Sequence, residues 1–381
     1  PAAMLWYHDH AMGITRLNAY AGLAALYFIR DGSDTGLASN PLGLPAGPYE
    51  IPLVIQDKSF NPDGSLFYPT VGVTAVHPIW MPEFFGDTPV VNGTAYPFHN
   101  VEPRRYRFRM VNGSQARFYN LSFDNGAGPI PFHLIGMEQS LTPAAVPMTK
   151  LLLAPGERAD VIVDFAGRMT QTITLRNNAK APYPGGRGGE IPQIMQFRVN
   201  VPLAGTDTSK PAAALVLPAV TPLVATPTAP MREIVMKEDV DPVTGLPIDM
   251  RLHGKWFDEA GVPIDELPLV NDTEIWQFIN LTVDAHPMHL HLVKFQVVNR
   301  QRFNAAAYTT AWTAWIGAGS PPATKPVLSA FFAGAALPPA PEESGWKDTA
   351  KSYPGEILRV IAKFELPAGV TPPAEYVYHC H

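Results

Sequence analysis

A single cysteine, Cys380, stands in a chain of 381 residues, and it excludes an internal disulfide while leaving the redox compartment open. No apolar run approaches the roughly eighteen residues needed to cross a bilayer as a helix, so no membrane-spanning helix is expected. Charged residues make up only 16% of the chain and sum to a net charge of −6 with the signs mixed. That leaves no basic patch and argues against a nucleic-acid partner. No export signal opens the chain, but it begins with Pro1 rather than Met, so this says nothing about export, and a periplasmic, secreted or spore-coat location stays open. What is abundant is turn chemistry: 41 prolines and 30 glycines punctuate short Val/Ile/Tyr/Phe runs, the pattern of an all-β protein. With 46% hydrophobic residues the chain can bury more than one core, and its length suggests two or three domains.

Against that background the histidines are unevenly placed. Seven of the eleven fall into three short clusters, Trp6-Tyr7-His8-Asp9-His10, His286-Pro287-Met288-His289-Leu290-His291 and His379-Cys380-His381. On a strand, side chains at i and i+2 share a face. The pairs His8/His10, His289/His291 and His379/His381 therefore each present two imidazoles to one side, and Cys380 presents its thiol to the other. His286 lies one residue before the alternating run and is expected to be turned by Pro287 toward a different site. One short peptide at the end of the chain can thus serve two metal centres. A thiolate with imidazole suits copper, iron or zinc, and the imidazoles of the opposite face suit a further cluster of copper or iron. Three such pairs in one chain are not what a tag or a few satisfied core histidines produce.

In this order, WYHDH, HPMHLH and HCH resemble the second, third and fourth copper motifs of the multicopper oxidases, the family of laccases and bilirubin oxidases. The continuation WYHDHAMGITRLNAYAGLAALYFIRD is similar to bacterial spore-coat laccases and phenoxazinone synthases. The same is true of GSLFYP (64–69), VEPRRYRFRMVNGS (101–114), LAPGERADVIVDF (153–165), IMQFRV (194–199), TEIWQFIN (273–280) and GWKDT (345–349). The resemblance implies a fold of three cupredoxin-like Greek-key β-sandwich domains. It also implies four copper ions: a type 1 ion that takes single electrons from a reducing substrate, and a trinuclear cluster that passes four of them to dioxygen. Position by position, His286 and Cys380 would serve the type 1 ion as the point of electron entry. His289 would serve the type 2 ion, and His8, His10, His291, His379 and His381 the type 3 pair. Dioxygen and a small aromatic donor are the implied partners.

The family pattern also contains a first His-x-His motif, which would lie before Pro1, and a histidine with an axial methionine shortly after His-Cys-His. The sequence is therefore expected to be part of a longer product, with first and last domains truncated, and to be inactive as it stands. Residues 1–31 read as the end of a first domain, 32–48 as a linker, 49–200 as a second domain, 201–230 as a Pro/Ala-rich connector and 231–381 as a third domain. The trinuclear cluster should lie between the first and third, with the second acting as a spacer. Arg105, Arg107 and Arg109 alternate with Tyr106, Phe108 and Met110 and read as a solvated or salt-bridged strand face. His77, His99, His133 and His253 read as ordinary surface or core residues. Residues 301–345 form a long insertion containing Trp312, Trp315, Phe331 and Phe332, either the wall of a pocket for aromatic donors or simple packing. The twelve methionines are scattered, which favours organic donors such as phenols and aminophenols over cuprous ion. A copper nitrite reductase and a non-catalytic structural protein on the same scaffold are the alternatives; the histidine pairs argue against the first, and retention of the ligand pattern against the second.

Overall fold

The computed structural model describes residues 1–69, 83–188, 190–243, 247–255 and 266–381; His77 lies outside them. Strands dominate, in agreement with the turn-rich composition. Near the start, β1 (Ala3–His8) pairs antiparallel with β2 (Ala24–Ile29). Between them runs the short helix α1 (Thr15–Ala21), ended by Gly22 at φ 111°, a conformation that disfavours any residue with a Cβ.

The described residues between 50 and 199 build a β-sandwich of an eight-stranded and a six-stranded sheet. The alternation in Arg105–Asn112 turns Tyr106, Phe108 and Met110 inward, where they join Phe123, Phe132, Phe165 and Phe197 in one core. Of the two forms expected for the arginine row, solvated or salt-bridged, the opposite face takes the salt-bridged one, but buried rather than at the surface. Arg107 and Arg109 are 0% and 2% exposed. Arg107 donates to Asp160 Oδ1 at 2.8 Å and to Asp34 Oδ2 at 2.7 Å, and Arg109 donates to Glu50 Oε1 at 2.9 Å. The face is salt-bridged but dry, because the 32–48 segment lies over it and inserts Asp34. Phe28 of β2 packs on the Arg109 guanidinium, 4.7 Å from ring centre to carbon. The 201–230 segment forms no strand and runs beside the 32–48 segment, with Lys210 N–H donating to Gly43 O. Ala212 and Leu217 are buried there against Leu44 and Ile135.

The described residues between 231 and 380 form a second sandwich, of a five-stranded and a three-stranded sheet. Its core holds Trp276, Phe278, Met288, Phe295 and Leu358. Much of the 301–345 insertion is helix: α2 (Ala305–Gly317) is capped by Asn304, whose side chain accepts from Ala307 N–H. Tyr308 and Trp312 of α2 are buried against Val235, Ile279 and Ile357 of the five-stranded sheet. Phe332, in contrast, stays 39% exposed.

Candidate metal centre

The strand His286–Leu290 lies in the middle of the three-stranded sheet, between Thr349–Ser352 and Tyr378–Cys380. Its register sets His289 opposite His379 and Met288 opposite Cys380. His381 continues the pairing, its N–H donating to Pro287 O. The period of two then sorts the side chains. On one face the ring centres of His289, His379 and His381 lie 4.8–5.3 Å apart, and His291 lies 4.8 Å from His289. On the other, Cys380 Sγ lies 3.6 Å from His286 Nδ1. His286 reaches that face as the first residue of the strand, three positions from His289, so alternation alone turns it and a deflection at Pro287 is not needed.

The end of β1 and the two residues that follow it supply the remaining rings. His8 lies 5.5 Å from His381, and His10 lies 5.0 Å from His291 and 5.3 Å from His379, centre to centre. Asp9 holds the turn between them: its N–H donates to Leu23 O, and its Oδ2 accepts from Ala11 N–H and Asn18 Nδ2. Trp6 packs on His8 at 4.6 Å. One ligating atom from each of His10, His291 and His379 fits within 4.8 Å, and the same holds for His289, His379 and His381. All eight residues singled out in the sequence therefore meet, seven imidazoles and one thiol drawn from three segments.

Hydrogen bonds settle which nitrogen points inward. His8 Nδ1 bonds Asp9 O at 2.7 Å, His379 Nδ1 bonds Cys380 O at 3.0 Å and His289 Nδ1 bonds Asp348 O at 2.7 Å, each leaving Nε2 for the cluster. His286 is held the other way round, with Nε2 against Thr282 Oγ1 at 2.7 Å and Nδ1 toward the thiol. Burial keeps these rings neutral. It pushes His286 and His291 down to about 4 and His379 to about 3, and neighbouring imidazoles add to the effect at His291 and His379. Burial, and then the charges of Glu83 and Glu238, push the Cys380 thiol up to about 12.

A family model for multicopper oxidases matches residues 238–381. The laccase of Bacillus subtilis (strain 168) is 39% identical over 388 residues, covering all of this chain and 67% of the relative. The chain belongs to the multicopper oxidase family. The rice protein named Multicopper oxidase LPR1 homolog 3 is 35% identical, with 73% of its length covered. Among solved structures, McoA multicopper oxidase from Aquifex aeolicus (2F4 variant) superimposes with a TM-score of 0.74 at 30% identity, over all of this chain and 72% of that one. The chain thus spans about two thirds to three quarters of the length of these relatives.

The donor set fits copper. His381 Nε2 is buried and has no hydrogen-bond partner among the described residues, which costs free energy unless something else takes up its lone pair. His291 Nε2 lies 3.1 Å from His379 Nε2, so the two ring nitrogens are aimed at one spot. A cation there would take up lone pairs of these rings, and a cation beside Cys380 would favour the thiolate over the thiol. Sequence reasoning passed over the residues that brace this cluster, Gly156, Arg158 and Asp348. Their signal was present in LAPGERADVIVDF and GWKDT, where charged residues interrupt segments that are otherwise apolar or tightly turned.

Proposed function

We propose that the intact protein is a laccase-like copper oxidase that couples one-electron oxidation of phenolic or aminophenolic donors to four-electron reduction of dioxygen to water. The observation that carries this reading is the two-faced strand Tyr378–Cys380. Its thiol faces His286, and its flanking imidazoles face the rings of His8, His10, His289 and His291. In this reading His286 and Cys380 hold a type 1 ion, His289 a type 2 ion, and His8, His10, His291, His379 and His381 a type 3 pair. Copper held there would supply one-electron redox chemistry on one face and a multi-electron site for dioxygen on the other.

Burial lowers the pKa of His8, His289, His291, His379 and His381, and backbone carbonyls that accept from Nδ1–H fix the tautomers of His8, His289 and His379. The backbone of 379–381 gives a covalent path between the two faces. A mononuclear pair of sites, as in a nitrite reductase, needs fewer histidines than converge here. Phenolic donors are favoured by the likeness to proteins named laccase and by the scattered methionines.

The test is Cys380→Ser in the full-length protein. The blue absorption of a copper thiolate and the oxidation of a phenolic donor should both vanish while the circular-dichroism spectrum of the fold stays unchanged. Turnover within tenfold of wild type would remove the thiol from the path.

A further inference from the structure

We infer that Arg158, on the strand Arg158–Asp164 of the 50–199 sandwich, is a positioning residue for the imidazole cluster, fixing His289 through Asp348 and locking the segments that carry His8 and His381 against it. The inference rests on the reading of these histidines as copper ligands.

The side chain is 1% exposed, and its guanidinium donors are divided among three pieces of chain. Nε donates to Met4 O at 3.1 Å, on β1, four residues before His8. Nη1 donates to Gly156 O at 2.8 Å and to Asp348 Oδ1 at 2.8 Å, and Nη2 donates to Asp348 Oδ2. Gly156 and Asp348 each touch a ring of the cluster, and Met4 leads along β1 to His8. Gly156, at φ +76°, lies against His381 so closely that a Cβ would stand 2.5 Å from its Cδ2. Asp348 O accepts from His289 Nδ1–H, and the adjacent Thr349 hydroxyl, itself donating to Asp348 Oδ1, lies 3.2 Å from the same nitrogen. Gln139 Nε2 donates to Asp348 Oδ2 at 2.6 Å and completes the seat of the carboxylate.

A planar fork is needed for this arrangement. Lysine carries the same charge, but as a single nitrogen it cannot hold both carboxylate oxygens and two backbone carbonyls that diverge from it. The 50–199 sandwich supplies none of the candidate ligands, so its contribution is made through the groups behind them. Partners behind metal ligands typically set affinity by about 10–100-fold.

The experiment uses the full-length, copper-loaded protein and compares Arg158→Lys and Asp348→Asn with Arg107→Lys. Arg107 holds an equally buried fork to Asp34 and Asp160 that does not touch the cluster. In the first two variants the blue type 1 absorption should persist. The type 2 signal in electron paramagnetic resonance should shift its hyperfine splitting, and that copper should be stripped by a chelator about 10–100-fold more readily. Arg107→Lys should lose thermal stability and keep the wild-type type 2 signal. Unaltered type 2 spectra and chelator sensitivity in both cluster-side variants overturn the inference, as does equal loss in Arg107→Lys, which would show a general loosening. A wild-type protein that binds no copper overturns the reading of the ligands and this inference with it; a copper-complete wild type with indifferent variants overturns the inference alone.

Discussion

Asp34 shows how a single residue of an apparent linker can matter to the whole. It is 1% exposed and contacts Arg107, Arg109 and Arg30. Burial alone would raise its carboxyl pKa, but hydrogen bonds and charge from Arg107, then the charges of Arg109 and Arg30, outweigh it and lower the value from 3.8 to about 2. A group with a depressed folded pKa adds stability that is complete above the unfolded value and disappears as pH falls through the folded one. Asp34 therefore contributes about 2 kcal/mol at neutral pH, lost between pH about 4 and about 2. Asp34→Asn should lower stability at pH 7 by at least that amount, since the arginines keep their charge, and should flatten the acid limb of the stability curve. Urea unfolding at a series of pH values measures both. An unchanged acid limb would mean that Asp34 is not the group that titrates.

At the scale of elements, the insertion 301–345 divides its aromatic residues between two roles. Trp312 is 1% exposed on the face of α2 that meets the five-stranded sheet, within a cluster that includes Tyr308 and Phe303, so its role is packing. Phe332 lines an open hollow with Met231, Ile275, Leu328 and Arg359. Trp312→Ala should cost about 3–5 kcal/mol of stability and leave KM for a phenolic donor unchanged in thermal unfolding and steady-state assays on the full-length protein. A raised KM with unchanged stability would make α2 a substrate wall instead. Much of this level was legible beforehand. Strand alternation predicted that His379 and His381 face one way and Cys380 the other, because a period of two needs no knowledge of neighbours. It also read the inward row Tyr106, Phe108 and Met110. It left the outward row open between solvated and salt-bridged, because the acidic partners of Arg107 come from residues 34 and 160, and no local pattern shows what will cover a sheet face. It was silent on Arg158 and Asp348, which meet across 190 residues of sequence.

The molecule as a whole is tied together by charge as well as by apolar cores. Lys351 Nζ lies 2.8 Å from both carboxylate oxygens of Glu157, and Lys347 Nζ lies 3.0 Å from Glu138 Oε1, all four groups buried between the two sandwiches. Removing one partner of such a pair leaves an uncompensated charge in a dry interface, at a cost of about 3–5 kcal/mol. This rigidity suits a site assembled from residues 8–10, 286–291 and 379–381, whose rings come from three separate segments of the chain. Residues 49–200, expected to act as a spacer, also set Gly156 against His381 and send Arg158 to Asp348.

In the proposed reading these histidines and Cys380 belong to one type 1 ion and one trinuclear cluster. Copper quantitation on the full-length protein, wild type beside Cys380→Ser, tests it most directly. Four copper ions per chain are expected in the wild type and three in the variant, with the blue absorption lost. Saturation at two ions per chain, or loss of all copper together in the variant, would contradict it.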